Sequence, residues 1–101
     1  MRVLNFKVDQ QIIKKDGDFS NIVKGSSGYL TAQFLFSPDW SGLKVCASFF
    51  ANGQEYAVPI VKNHSVIPDQ VTTEDYFRVQ VCGIKNGQII KTNKVLVRQE
   101  G

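Results

Sequence analysis

From Leu30 to Phe36 the chain sets apolar side chains at every second position, Leu30, Ala32, Phe34 and Phe36, with Tyr29, Thr31, Gln33 and Leu35 on the opposite parity. A period of two belongs to a β-strand, whose successive side chains point to opposite faces. The same beat returns at Leu43, Val45, Ala47 and Phe49, at Tyr56, Val58 and Ile60, at Phe77, Val79 and Val81, and at Val95 and Val97. Helix-type spacing is nearly absent, so the pattern restricts the chain to an all-β fold.

Turn chemistry divides these runs. Asn52-Gly53 and Asn86-Gly87 supply the two positive-φ residues of tight hairpin turns, the second closing Phe77–Cys82 onto Gln88–Lys91. Pro59 lacks a backbone N–H, so the strand from about Gln54 to Val61 is expected at a sheet edge or with that position unpaired. SPDWSG, residues 37 to 42, reads as the turn of a hairpin-like pair between the runs on either side. Leu4, Phe6 and Val8 alternate as a first strand, Gln11 to Lys15 reads as another, and Asp16-Gly17 is a turn signal. Asn21 to Lys24 is a short strand or a single helical turn, while GSSG (25 to 28) and KNHSVIPDQ (62 to 70) read as loops.

About seven short strands in 101 residues predict one antiparallel immunoglobulin-like β-sandwich domain over residues 1 to 101, ahead of a small barrel. The predicted core is Leu4, Phe6, Val8, Leu30, Ala32, Phe34, Phe36, Val45, Ala47, Phe49, Tyr56, Val58, Ile60, Phe77, Val79, Val81, Val95 and Val97.

Twelve Lys and Arg against nine Asp and Glu, spread from Arg2 to Arg98, give no basic stripe of the kind nucleic-acid binding needs. No run approaches the length of a membrane helix, and MRVLNFKVDQ lacks the apolar centre of a signal peptide. The expectation is a chain made in a reducing cytoplasm, with no membrane or nucleic-acid partner.

No catalytic or metal-binding constellation is visible. Cys46 and Cys82 lie out of phase with the core positions, so they point away from the core and a core-spanning disulfide is not expected. His64 is the only histidine and sits in a turn-like segment, which leaves a nucleophilic thiol without a base. Asp16-Gly17-Asp18 matches no zinc or calcium spacing, and GSSG lacks the Lys and helix of a phosphate cradle. Glu74 and Asp75 are adjacent, so their side chains diverge as a solvated strand entry. The expectation is no enzyme and no cofactor.

Two features suggest a partner. Tyr29, Leu35, Phe50, Val61 and Ile84 make the outward parity more apolar than a freely solvated face, so they are the candidate partner interface; scattered surface hydrophobics are the alternative. Trp40, the only tryptophan, sits beside Asp39 in the SPDWSG turn. It reads either as a ligand loop with Asp39 or, the favoured reading, as a structural corner whose indole folds over the open end of the sandwich.

The segments FKVDQQII (6 to 13), GYLTAQFLFSPDWSGLKVCASF (28 to 49), EYAVPI (55 to 60), VIPDQV (66 to 71) and YFRVQVCGIKNGQIIKTNKVLV (76 to 97) cover nearly the whole chain. Their order, F-S-x-D-W-x-G-L, then I-P-x-x-V, then I-x-T-N, resembles immunoglobulin-like sandwich modules in the tail, baseplate and head-decorating proteins of phages and prophages of Gram-positive bacteria. The resemblance implies a non-enzymatic virion module that assembles with other virion proteins or with itself. The alternative it leaves open is a domain that binds a carbohydrate or receptor on the host surface. It carries over no catalytic residue, and the second domain common in such proteins is not visible here.

Overall fold

The structure, a computed structural model, describes residues 1 to 101. Nine strands form two sheets: β1 (Arg2–Asp9), β2 (Ile12–Asp16), β3 (Leu30–Phe36), β4 (Lys44–Ala51), β5 (Gln54–Pro59), β6 (His64–Val66), β7 (Tyr76–Lys85), β8 (Gln88–Lys91) and β9 (Val95–Arg98), with a short helix α1 (Asp69–Thr72) between β6 and β7. One sheet has the order β2-β1-β3-β6. The other runs β5-β4-β7-β8, with β9 also paired to β7. The chain is therefore an all-β sandwich, with nine strands where the alternation marks about seven.

Most pairings are antiparallel, but β1 and β3 run parallel, with Leu4 opposite Ala32 and Phe6 opposite Phe34. Parallel neighbours need a connection that returns the chain to its starting end; here β2 makes the return, antiparallel to β1, and residues 17 to 29 carry the chain past β1 to the start of β3. The second departure concerns β3 and β4, which do not pair: β3 bonds to β1 and β6, and β4 to β5 and β7. SPDWSG is a bridge between sheets rather than a hairpin turn. Alternation specifies which face of a strand is buried but not which strand lies beside it, so both kinds of connection read alike in sequence.

The Asn-Gly turns form as their chemistry dictates, with φ of +52° and +70° at Asn52-Gly53 and +49° and +78° at Asn86-Gly87. Lys62-Asn63 makes a third such turn, at +52° and +64°, carrying the chain from β5 across to β6. It has no glycine, so the sequence marks it only as loop. Pro59 lies on β5, the outermost strand of its sheet, where the missing N–H is harmless.

A single cluster of 19 buried residues fills the space between the sheets. Thirteen of the predicted core residues belong to it, and Phe36, Val45, Tyr56, Val58 and Val95 pack around it half-buried. Ile13, Ile22, Trp40, Ala51, Ile67 and Val71 are additional members, drawn mostly from turns and short segments that carry no alternation. Phe6, Phe34 and Phe36 stack in a row with centroids 5.4 and 6.0 Å apart, and Phe36 meets Trp40 at 5.4 Å.

The GSSG loop is fastened to α1. Ser27 Oγ donates to Asp69 at 2.7 Å, the Gly28 N–H donates to the same carboxylate at 3.2 Å, and Thr72 Oγ1 donates to the Ser26 carbonyl at 2.7 Å. The Ser27 hydroxyl and then the Gly28 N–H hold the Asp69 carboxyl below its ordinary value of 3.8. A depressed carboxyl contributes stability above its unfolded value and loses that contribution as pH falls through the folded one. Asp69→Asn is expected to lower the Tm modestly at pH 7, where this contribution is present, and to flatten the loss of Tm between pH 5 and pH 2, so that the two proteins converge in acid. Parallel acid profiles for the two proteins would refute this anchoring role.

Candidate functional site

Outward side chains of β4, β5 and β7 form a shallow apolar groove of about 690 Å³ on the outer face of the five-stranded sheet. The register explains its composition. Cys46 stands opposite both Pro59 on β5 and Cys82 on β7, so the floor is a row of small apolar and sulfur-bearing groups. Ala57 lies beside this row, while Val61 and Ile84, 64% and 50% exposed, form the walls. Short side chains between longer ones make a concave strip on a sheet face that would otherwise be flat. Lys44 and Lys62 stand at the rim.

The charge on this face has one dominant sign. Lys44, Arg78, Lys91 and Arg98 occupy outward register positions of β4, β7, β8 and β9, and Glu55 on β5 is the acidic counterpart. Glu55 accepts a hydrogen bond from Ser48 Oγ at 2.7 Å. Burial pushes the Cys46 thiol above its ordinary range, and the neighbouring Cys82 and Glu55 add to the effect.

A second recess of about 500 Å³ lies at the far end of the face, lined by Phe50, Asn52, Glu74, Asp75, Tyr76, Arg78 and Lys94. Its groups are largely engaged with one another. The Lys94 ammonium covers the Phe50 ring at 4.1 Å, and the Arg78 guanidinium lies 5.3 Å from the centre of the Tyr76 ring. Glu74 accepts from Asn52, and Asp75 forms the ion pair with Lys24. The groove has no such internal cover, which makes it the stronger candidate.

The five residues proposed as one interface do not share one surface. Val61 and Ile84 both line the groove, and Phe50 lies beneath Lys94 at the far end of the same face. Leu35 projects from β3 in the other sheet, opposite Lys7, and Tyr29 precedes β3 beside Arg2, Asn21 and Ile22. Parity says that a side chain points outward but not from which of two outer faces. The floor residues Ala57 and Pro59 were missed because small side chains raise no hydropathy signal. Their outward parity, read together with that of Cys46, is the signal that would have found them.

Asp39 is exposed, whereas Trp40 is only 4% exposed. Its indole N–H donates to the Gln10 carbonyl at 2.9 Å, and Ser37 Oγ accepts from the Gln10 N–H at 3.0 Å. Gln10 holds a φ of +54° in the β1–β2 turn, a conformation unusual for a residue with a side chain. The F-S-x-D-W stretch thus clamps that turn from both backbone sides.

Asn93, from the I-x-T-N stretch, reaches the same hairpin. Its Oδ1 accepts from the Ile13 N–H at 2.8 Å and its own N–H donates to the Gln11 carbonyl at 3.2 Å, joining the free edge of β2 to the other sheet. Thr92 Oγ1 accepts from the Val81 N–H inside the core. The sequence stretches that look like signatures are, in this chain, largely fastenings between the two sheets.

The remaining candidates are dispersed. His64 lies on β6 in the opposite sheet from both cysteines, with Nδ1 3.4 Å from the Lys62 carbonyl. Asp18 accepts from Ser20 as a local turn. No three His, Cys, Asp or Glu side chains converge on one point. This chain matches no protein-family model, no curated protein and no solved structure.

Proposed function

We propose that this chain is a non-enzymatic assembly module that docks onto a larger protein assembly through the outer face of its five-stranded sheet. The observation that carries the reading is the open apolar groove walled by Val61 and Ile84, a concave surface without cover from the chain itself. The particular setting, a tail, baseplate or head-decorating component of a phage virion made in the host cytoplasm, rests on the order of the sequence motifs. Other virion proteins, or a second copy of the chain, are the partners this implies.

The immunoglobulin-like form of the sandwich belongs to the same reading. In its support, β3 and β6 are neighbours in one sheet as strands B and E are, and β4, β7 and β9 are neighbours in the other as C, F and G are. Host-surface binding through Asp39 and Trp40 is the weaker reading, since the indole that would stack on a sugar is buried.

Val61→Lys and Ile84→Lys together are expected to leave the Tm nearly unchanged, because exposed substitutions usually shift stability by within about 0.5 kcal/mol each. They should abolish incorporation of the chain into particles, read by immunogold labelling of particles purified from producing cells. A wild-type chain that is strictly monomeric and labels no part of those particles would overturn the proposal.

A further inference from the structure

We propose that Cys46 and Cys82 form a reversible cross-strand dithiol–disulfide site in the floor of the groove, oxidised by a small-molecule disulfide such as oxidised glutathione. The inference is independent of what docks in the groove. Both thiols are free and partly exposed, and they occupy directly opposed positions in the antiparallel β4–β7 ladder.

The ladder fixes the kind of pair. The Ile60 N–H donates to the Val45 carbonyl, so the backbone groups of Val45 face β5 and those of Cys46, one residue on, face β7. The Thr92 N–H donates to the Val81 carbonyl, so Val81 faces away from β4 and Cys82 faces toward it. Cys46 and Cys82 are therefore a hydrogen-bonded pair, for which the Cα atoms lie about 5.5 Å apart. That spacing falls inside the window of roughly 4.4–6.8 Å for disulfides, and both side chains rise from the same face. The Cβ atoms of a hydrogen-bonded pair lie about 5.5 Å apart, against roughly 3.5–4.5 Å in a disulfide, so closing the bridge draws β4 and β7 together by about 1 Å at this point and leaves a strained bond that is readily reduced.

The position also meets the requirements of access and order of attack. The groove is open and its floor is these two sulfurs with Ala57 and Pro59, so a tripeptide disulfide can reach them. Burial raises the Cys46 thiol, which disfavours its thiolate as the first nucleophile, and in the proposed sequence of exchanges Cys82 attacks first. The Cys82 thiolate attacks one sulfur of oxidised glutathione, forming a mixed disulfide and expelling one glutathione thiolate, which takes up the proton. Cys46 then loses its proton and attacks the Cys82 sulfur, expelling the second glutathione. Two protein thiols lose two electrons and two protons, and oxidised glutathione becomes two molecules of glutathione.

The bridge joins β4 to β7 at the centre of the sheet and replaces two thiols by one S–S group across the groove floor. Neither residue needs a histidine or a metal for this chemistry, which accounts for a pair of cysteines placed together with no catalytic neighbour.

The test incubates the full chain with oxidised glutathione at mildly alkaline pH, quenches with N-ethylmaleimide, and reads intact mass and proteolytic peptides. The expected product has lost two hydrogens, contains a Cys46–Cys82 cross-linked peptide within one chain, and returns to the dithiol on reduction. Cys46→Ser and Cys82→Ser are each expected to stop at a mixed disulfide on the remaining thiol. Unfolding in urea should lower the ratio of bridge to mixed disulfide at least about tenfold, since the fold supplies the effective concentration. Mixed disulfides without a bridge, bridges only between chains, unreactive thiols, or a ratio that does not fall in urea would each overturn the proposal.

Discussion

Trp40→Ala is expected to lower the unfolding free energy by about 3–5 kcal/mol, the range for removing a buried aromatic side chain and leaving a cavity. Domains of this size are stable by about 5–15 kcal/mol, so the loss is a large part of the total. The indole is 4% exposed, lies 5.4 Å from the Phe36 ring and donates to the Gln10 carbonyl at 2.9 Å. Its removal opens a void at one end of the core and takes one of the hydrogen bonds that fasten the β1–β2 turn. At roughly 4–8 °C per kcal/mol for a small domain, the Tm should fall by at least about 12 °C.

Trp40→Phe separates the two contributions. It keeps most of the apolar contact but leaves the Gln10 carbonyl without its indole donor, at a net cost of about 0.5–1.5 kcal/mol for a hydrogen bond plus the lost ring area. Urea unfolding should therefore rank wild type above Phe above Ala. An alanine variant within a few degrees of wild type would show that the indole does not close the sandwich.

The faces of the strands were legible in the sequence because burial on one side of a sheet writes itself as a period of two. Leu4, Phe6, Val8, Ala47, Phe49, Val79 and Val81 follow that rule and are buried. The pairing of strands was less legible. Nothing in the alternation of Leu30–Phe36 distinguishes β4 as hairpin partner from β1 as parallel neighbour, since both arrangements bury the same side chains. Lys62-Asn63 hid a sheet-to-sheet turn because Asn63, a good turn residue, is preceded by Lys and not followed by the glycine that marks the other two turns.

The groove was legible only in part, for a related reason. Val61 and Ile84 were visible as outward apolar residues, but the concavity comes from what lies between them. Cys46, Ala57, Pro59 and Cys82 become neighbours through the β5-β4-β7 register, and register is a long-range property that no local window contains. The parity of the two cysteines was visible, and it argued correctly against a bridge through the core. The same parity on two adjacent antiparallel strands is also what sets them side by side on the outer face.

Gly83→Ala is expected to destabilise the chain by about 1–3 kcal/mol, the usual penalty for forcing one more carbon into a filled core. Gly83 lies on β7 opposite Val45, and a Cβ there would meet Trp40 Cζ3 at 2.8 Å, Trp40 Cε3 at 3.0 Å and Leu43 Cδ1 at 3.0 Å. The indole has little room to retreat, because Phe36 backs the ring with centroids 5.4 Å apart, whereas Leu43 is only half-buried and can give way. Alanine in a strand is otherwise the better residue, as it reduces the entropy lost on folding by about 0.4–1 kcal/mol where the backbone allows it.

The two effects have opposite signs, so a double-mutant cycle separates them. In the Trp40→Ala background the ring is gone, the added methyl enters the void, and Gly83→Ala should become neutral or stabilising. The coupling between the two positions is then at least about 1 kcal/mol, within the range for residues in direct contact. Chemical unfolding of the four proteins measures it. Additive effects would mean that Gly83 is not small on account of the tryptophan, and that the indole does not occupy the place above β7 from which it closes the core.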